Sequence, residues 1–144
     1  MDPLARDLKI MAARIWETLG PGFSERVYHN SFEVELRLRG IPYETERILP
    51  ITYEGHNVGN LRADLVIDGQ IIVELKSTTK LKDEFENQAK NYMRLTGIPS
   101  ALLINFPAVS GEVEVRFFSD LSKDARQGVV SSGGDIPDKT GETV

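Results

Sequence analysis

A chain of 144 residues, 40% hydrophobic and 27% charged, has the composition of one soluble globular domain with enough length for a real core. It contains no cysteine, which excludes disulfides and thiolate metal sites and makes the cytoplasm the default location; no apolar run approaches the ~18 residues of a membrane span, and the start Met-Asp-Pro-Leu-Ala-Arg lacks the basic-then-apolar order of a signal peptide. A formal charge of −5 argues against a protein that coats nucleic acid by bulk electrostatics, while leaving room for one that meets phosphate through a local basic rim.

Asp2 can cap a first helix with Pro3 at its first position. Leu4, Leu8, Met11, Ile15 and Leu19 recur at helical spacing, and Gly20-Pro21 stops the helix. A second helix opens within Gly22-Phe23-Ser24-Glu25-Arg26-Val27-Tyr28, with Ser24 as cap and Phe23 placed to staple onto its first turn. Val27, Ser31, Val34 and Leu38 form its stripe, widened by Tyr28, Phe32 and Leu36, and Gly40 ends it. Glu25, alone, reads as a carboxylate favoured by the helix dipole. His29 and His56 show no ligand spacing and read as partly exposed polar residues.

Tyr43 to Tyr53 reads as one or two strands broken at Pro50, since proline cannot donate to a ladder. After a turn at Glu54-Gly55-His56-Asn57, the chain returns as a strand into Arg62-Ala-Asp-Leu-Val-Ile-Asp-Gly-Gln-Ile-Ile-Val-Glu-Leu-Lys76, two apolar runs around one Asp-Gly. That is a β-hairpin pattern. Asp64, Glu74 and Lys76 interrupt it, and burying them would be costly. Glu74 and Lys76, two apart, share a face. A two-residue loop would put Asp64 on the other face; a three-residue loop Ile67-Asp68-Gly69 puts Asp64 opposite Ile72 and diagonal to Glu74. The second register is the expected one. Carboxylates ~4 Å apart repel by about 4 kcal/mol at an effective dielectric of 20, and a divalent cation reverses that sign. Hard cations such as Mg²⁺ favour such oxygens. The same three residues also suit a plain surface hairpin with a solvated Glu/Lys pair.

Ser77-Thr78-Thr79 offers a cap for a third helix carrying Leu81, Phe85, Ala89, Tyr92 and Leu95 to Gly97. Gln88 and Tyr92, four apart, face one way. Ser100 to Phe106 is an apolar run of interior-strand character, so the helix before it is a right-handed βαβ crossover joining parallel strands. Glu112 to Phe118 alternates as a half-exposed last strand. Residues 1–120 are expected to form one domain, and residues 121–144, poor in large apolar side chains, a mobile polar tail.

Helix, strand meander, hairpin with Asp then Glu-x-Lys, helix and buried strand is the element order of the PD-(D/E)xK nuclease superfamily. Asp64, Glu74, Leu75 and Lys76 resemble its signature, although Arg62-Ala63 stands where a proline often precedes the Asp. Gln88-Ala-Lys-Asn-Tyr92 resembles the Q-x-x-x-Y helix of its exonuclease-like branch, and Gly22-Phe-Ser-Glu25-Arg-Val-Tyr28 resembles the motif of the GxxExxY proteins. The likeness spans about residues 4–107. It implies an α/β, restriction-endonuclease-like core, a central mixed sheet flanked by helices.

It also implies roles. Asp64 and Glu74 would ligate Mg²⁺, or Mn²⁺ in its place, with the Leu75 carbonyl a further ligand and Glu25 completing the metal site or holding a metal-bound water. Lys76 would orient or activate the attacking water, and Gln88 and Tyr92 would fix the lysine or the scissile phosphate. The implied activity is hydrolysis of DNA by a nuclease working as a homodimer or a subunit of a larger complex. Lys80, Lys82, Lys90 and Arg94 are the expected phosphate-facing rim. The competing expectation is a binding module on a nuclease fold that holds nucleic acid or a protein without cutting it.

Overall fold

Asp2 starts the first helix as expected: its Oδ1 accepts the Leu4 N–H at 2.7 Å, and Pro3 occupies the first turn of α1, Pro3–Leu19. The structure, a computed structural model, describes residues 2–120; the tail expected at 121–144 lies outside them. After α1 come α2 (Glu25–Arg39), β1 (Tyr43–Tyr53), β2 (His56–Ile67), β3 (Ile71–Lys76), α3 (Asp83–Thr96), β4 (Ser100–Asn105) and β5 (Glu114–Ser119). The five strands form one mixed sheet in the order β1-β2-β3-β4-β5. Only β3 and β4, joined through α3, run parallel, as the crossover required.

The sheet has a core on each side. On one, Leu8, Met11 and Ile15 of α1 and Tyr28, Phe32 and Leu36 of α2 meet Leu65, Ile67, Ile71, Val73, Leu75, Leu102 and Ile104. On the other, Ala89, Tyr92 and Met93 of α3 meet Ala63, Val66, Ile72 and Ala101. Both are apolar surface removed from water, worth roughly 25 cal/mol per Å². The buried stripe of α2 is therefore Tyr28, Phe32 and Leu36; Val34 and Leu38, expected to lead it, face solvent. The same rotation buries His29, expected to be partly exposed. Its Nε2 lies 2.9 Å from Thr45 Oγ1 and 2.9 Å from Glu33 Oε2. A buried imidazole is tolerated when it is so partnered.

Three local expectations change. β1 runs unbroken through Pro50, because β1 is an edge strand and has one unladdered side where a missing donor is harmless. α3 starts at Asp83 rather than after Ser77-Thr78-Thr79; Thr78 is instead held by Asn105, whose Oδ1 accepts the Thr78 N–H at 2.9 Å. The β2–β3 hairpin pairs Ile67 with Ile71, Val66 with Ile72 and Leu65 with Val73, so Val66, not Asp64, stands opposite Ile72. The loop is Asp68-Gly69-Gln70. Asp68 and Gly69 both take positive φ, 52° and 66°, and Gln70 N–H donates to the Ile67 carbonyl at 2.9 Å. The expected loop would have spent Ile67 on a turn; the observed one buries both Ile67 and Ile71, each worth about 2 kcal/mol. The two registers differ by two residues, so every side chain keeps its face.

Candidate functional site

The ladder between β2 and β3 stops at Leu65 and Val73. The next two backbone donors are taken by side chains instead. Asp64 N–H donates to Glu74 Oε2 at 3.3 Å, and Leu75 N–H donates to Asp64 Oδ2 at 2.8 Å. Each carboxylate thus satisfies the backbone of the opposite strand where the strands part. The parting is local and sharp. Ala63 belongs to the α3-side core and Leu65 to the α1/α2-side core, although residues two apart on a regular strand share a face. The reversal falls at Asp64. Facing it on β1, between the pairs Thr45–Leu65 and Arg47–Ala63, is Glu46 with φ 52°. A non-glycine residue held there costs on the order of 1–3 kcal/mol.

The opening is a cleft of about 420 Å³ lined by Glu25, Asn60, Leu61, Arg62, Asp64, Glu74, Lys76, Gln88 and Tyr92. It brings together Glu25 from α2, Asp64 from β2, Glu74 and Lys76 from β3, and Gln88 and Tyr92 from α3. Leu75 faces a smaller adjoining cavity of about 120 Å³, shared with Glu25, Arg26, His29, Arg62 and Asp64.

Glu74 is the buried acid. Burial first, and the nearby Asp64 charge second, push its carboxyl up to about 8 from 4.5. Asp64 is half-buried and Glu25 exposed. Among the described residues no three His, Cys, Asp or Glu side chains converge closely enough to hold a metal ion, so Glu25 stands on the cleft wall and not within the Asp64–Glu74 pair. The pair itself fits a hard divalent cation by its chemistry. It offers carboxylate oxygens side by side, and one of them holds its negative charge only at a desolvation cost that a cation would offset.

Lys76 makes no ion pair among the described residues; its Nζ lies 4.4 Å from the centroid of the Phe85 ring, on the first turn of α3. Tyr92 is buried, which raises its phenol pKa. Its hydroxyl reaches toward the Arg47 carbonyl at 3.5 Å, the outer limit for a hydrogen bond. Gln88 is exposed at the mouth.

The motif around Glu25 is explained by packing. Gly22 has φ 100°, a conformation glycine adopts without strain. Tyr28 donates its hydroxyl to the Gly20 carbonyl at 2.6 Å and stacks on Phe106 at 4.4 Å between centroids. Phe23 meets Tyr28 edge-on at 6.3 Å, the expected staple. These contacts fix the start of α2, and with it Glu25, over the cleft.

The basic rim differs from expectation. Lys80, Lys82, Lys90 and Arg94 do not line the cleft; Lys90 pairs with Glu86 at 3.9 Å and covers Phe118. The cations on the wall are Lys76 and Arg62, the latter 58% exposed and 3.9 Å from Asp64 Oδ1. Asn60 and Arg62 were not singled out from the sequence as site residues. Their spacing to Asp64, four and two residues back along one strand, was the available signal.

The family model for the PD-(D/E)XK nuclease superfamily matches residues 3–117. A comparison with curated proteins finds no match. Among solved structures, the crystal structure of SSO0001 is similar with a TM-score of 0.53 at 19% sequence identity, over 72% of this chain and 55% of that chain. The chain therefore spans little more than half of that protein, and the likeness at this identity is one of fold.

Proposed function

From the premise that the chain belongs to the PD-(D/E)XK nuclease superfamily, we propose that it is a divalent-metal-dependent nuclease that hydrolyses DNA phosphodiester bonds at the Asp64–Glu74 cleft. The observation that carries this reading is convergence: Glu25, Asp64, Glu74, Lys76, Gln88 and Tyr92, drawn from four elements, line one cleft. Within the superfamily we place it with the GxxExxY proteins and the Q-x-x-x-Y branch, on Gly22, Glu25 and Tyr28 and on Gln88 and Tyr92. We assign the activity to a single domain over residues 1–120, working in the cytoplasm, a compartment compatible with a chain that lacks cysteine.

Asp64 and Glu74 would hold Mg²⁺ or Mn²⁺, with the Leu75 carbonyl as a further ligand and Glu25 reaching in from the wall. A bound divalent ion supplies positive charge to the scissile phosphate and makes nearby water more acidic. Lys76, which makes no ion pair among the described residues, orients the attacking water and balances the charge that develops on the phosphate. The water oxygen gives up a proton to bulk water as it bonds to phosphorus in line, the bond to the leaving sugar oxygen breaks, and that oxygen takes up a proton from bulk water. Gln88 and Tyr92 hold the phosphate in place, and Arg62 meets the neighbouring backbone.

Calorimetric titration with Mg²⁺ and Mn²⁺, followed by a cleavage assay on duplex DNA, tests this. Glu74→Ala is expected to lose both ion binding and cleavage. Lys76→Met is expected to keep the ion and lose cleavage by about 10²-fold or more, the usual effect of removing one group that stabilises a transition state. A wild type that binds neither ion at millimolar concentration refutes the assignment.

A further inference from the structure

Beyond Asp64 the sheet narrows to two strands. β1 and β2 pair from Tyr43 with Ile67 out to Tyr53 with His56, whereas β2 pairs with β3 only at Leu65, Val66 and Ile67. Residues 47–63 therefore form an arm that continues past the rest of the sheet. From Arg47 to Tyr53 it reaches on the order of 20 Å at ~3.3 Å per residue. Its root is anchored, because the paired Leu49 and Leu61 pack on the α3-side core. Its outer part is not. Tyr53 and Val58 are 69% and 62% exposed, and a two-stranded ribbon alone in water is marginal.

Three observations choose what covers it. The cleft wall of Asn60, Leu61 and Arg62 is the arm's own second strand, so a polymer entering the cleft on that side runs along the arm. Within the arm, residues 47–63, the charged residues are Arg47, Glu54 and Arg62, a net +1 in a chain of net charge −5. The arm thus repels phosphate less than the rest of the chain. It presents Thr52, Tyr53, His56, Asn57 and Asn60, groups that hydrogen-bond to phosphates and base edges. Finally, the free edge of β1 carries Glu44, Glu46 and Pro50, which disfavour pairing with the edge of a second copy.

We infer that the β1–β2 arm is a nucleic-acid-guiding surface that lies against the duplex emerging from the cleft, in the major groove, which is wide enough to admit a two-stranded ribbon. This rests on the nuclease reading above and gives it a substrate class: duplex on the arm side of the cleft.

The double variant Tyr53→Glu/Val58→Glu adds negative charge at two exposed positions, with a urea midpoint expected to match wild type. Anisotropy with a fluorescein-labelled duplex of about 20 base pairs should show binding weakened about tenfold or more, because the new charges face phosphate. Hydrolysis of bis(p-nitrophenyl) phosphate, too small to reach the arm, should stay within about twofold of wild type. A second variant, with residues 51–59 replaced by Asn-Gly between the paired Pro50 and Asn60, should give the same pattern, since that dipeptide closes a two-residue hairpin. Undiminished duplex binding by both variants overturns the inference. So does sedimentation equilibrium showing that they split a wild-type dimer, for the arm would then cover a second copy. A wild type that binds duplex through the arm yet hydrolyses neither substrate supports the arm and refutes the nuclease reading alone.

Discussion

The two ends of the β2–β3 pair are built from the same two strands and do opposite things. At the closed end Leu65, Val66 and Ile67 ladder with Val73, Ile72 and Ile71, all of them buried. At the open end, one residue further, the backbone donors of Asp64 and Leu75 are taken by carboxylates. Stability is concentrated on one side of that boundary and the proposed chemistry on the other. A strand can thus deliver two acids into a cleft without losing backbone hydrogen bonds, because each acid repairs the ladder it interrupts. Substitutions at the two ends should differ in kind.

The largest change in stability belongs to the closed end. Ile67→Ala removes a fully buried side chain from the α1/α2-side core, and loss of an isoleucine to alanine at such a site costs about 4 kcal/mol from transfer and cavity terms together. Urea unfolding should show it as a lower midpoint with unchanged slope. In the folded fraction, divalent-ion affinity should match wild type. A loss of ion binding as large as the loss of stability would mean that the two ends are not separate.

The open end should respond with the opposite sign. The Glu74 carboxyl is pushed up to about 8, by burial first and by Asp64 second, from 4.5. Between those values the folded state holds a proton that the unfolded state has lost. Stability therefore falls as pH rises from 4.5 toward 8 and is fully present only below 4.5. Glu74→Gln removes the titration and keeps an oxygen for the Asp64 N–H. Its unfolding free energy should match wild type near pH 4 and exceed it by on the order of 4 kcal/mol at pH 8. Mg²⁺ should erase that difference by stabilising only the wild type. A pH-independent difference between the two proteins would mean that Glu74 is ionised at little cost.

What was legible in the sequence divides along the same boundary. The resemblance carried by Asp64, Glu74 and Lys76, by the Gly22-Glu25-Tyr28 motif and by the Gln88-Tyr92 pair named six of the residues that line the cleft; periodicity by itself gave only that Glu74 shares a strand face with Lys76 and Gln88 a helix side with Tyr92. The register was not legible to the residue. Asp-Gly admits more than one loop, and what decided between them was the burial of Ile67 and Ile71, a tertiary quantity. The same holds for α2, where Tyr28, Phe32 and Leu36 compete with Val34 and Leu38 for the core and tertiary packing, including Tyr28 on Phe106, decides between them. The left-handed Glu46 opposite Asp64 left no trace at all, since nothing about glutamate announces a positive φ.

The smallest predicted effect separates position from charge within the open end. Lys76 sits over the face of Phe85 at 4.4 Å and pairs with no acid among the described residues. An aromatic face restrains an ammonium by about 1 kcal/mol without neutralising it, whereas collapse of Lys76 onto Glu74 would place its charge where a cation is proposed to bind. Phe85 is therefore a positioning residue. Phe85→Leu keeps the apolar contact but removes the π face, and kcat for duplex cleavage should fall by about fivefold, the rate equivalent of 1 kcal/mol, with KM unchanged. Phe85→Tyr retains the ring and should restore it. Divalent-ion affinity should drop in Phe85→Leu and return in the double variant Phe85→Leu/Lys76→Met, which has no ammonium left to compete. If the leucine variant weakens ion binding equally with and without Lys76, the ring shapes the cleft by packing, and the boundary between stability and chemistry must be drawn beyond Lys76.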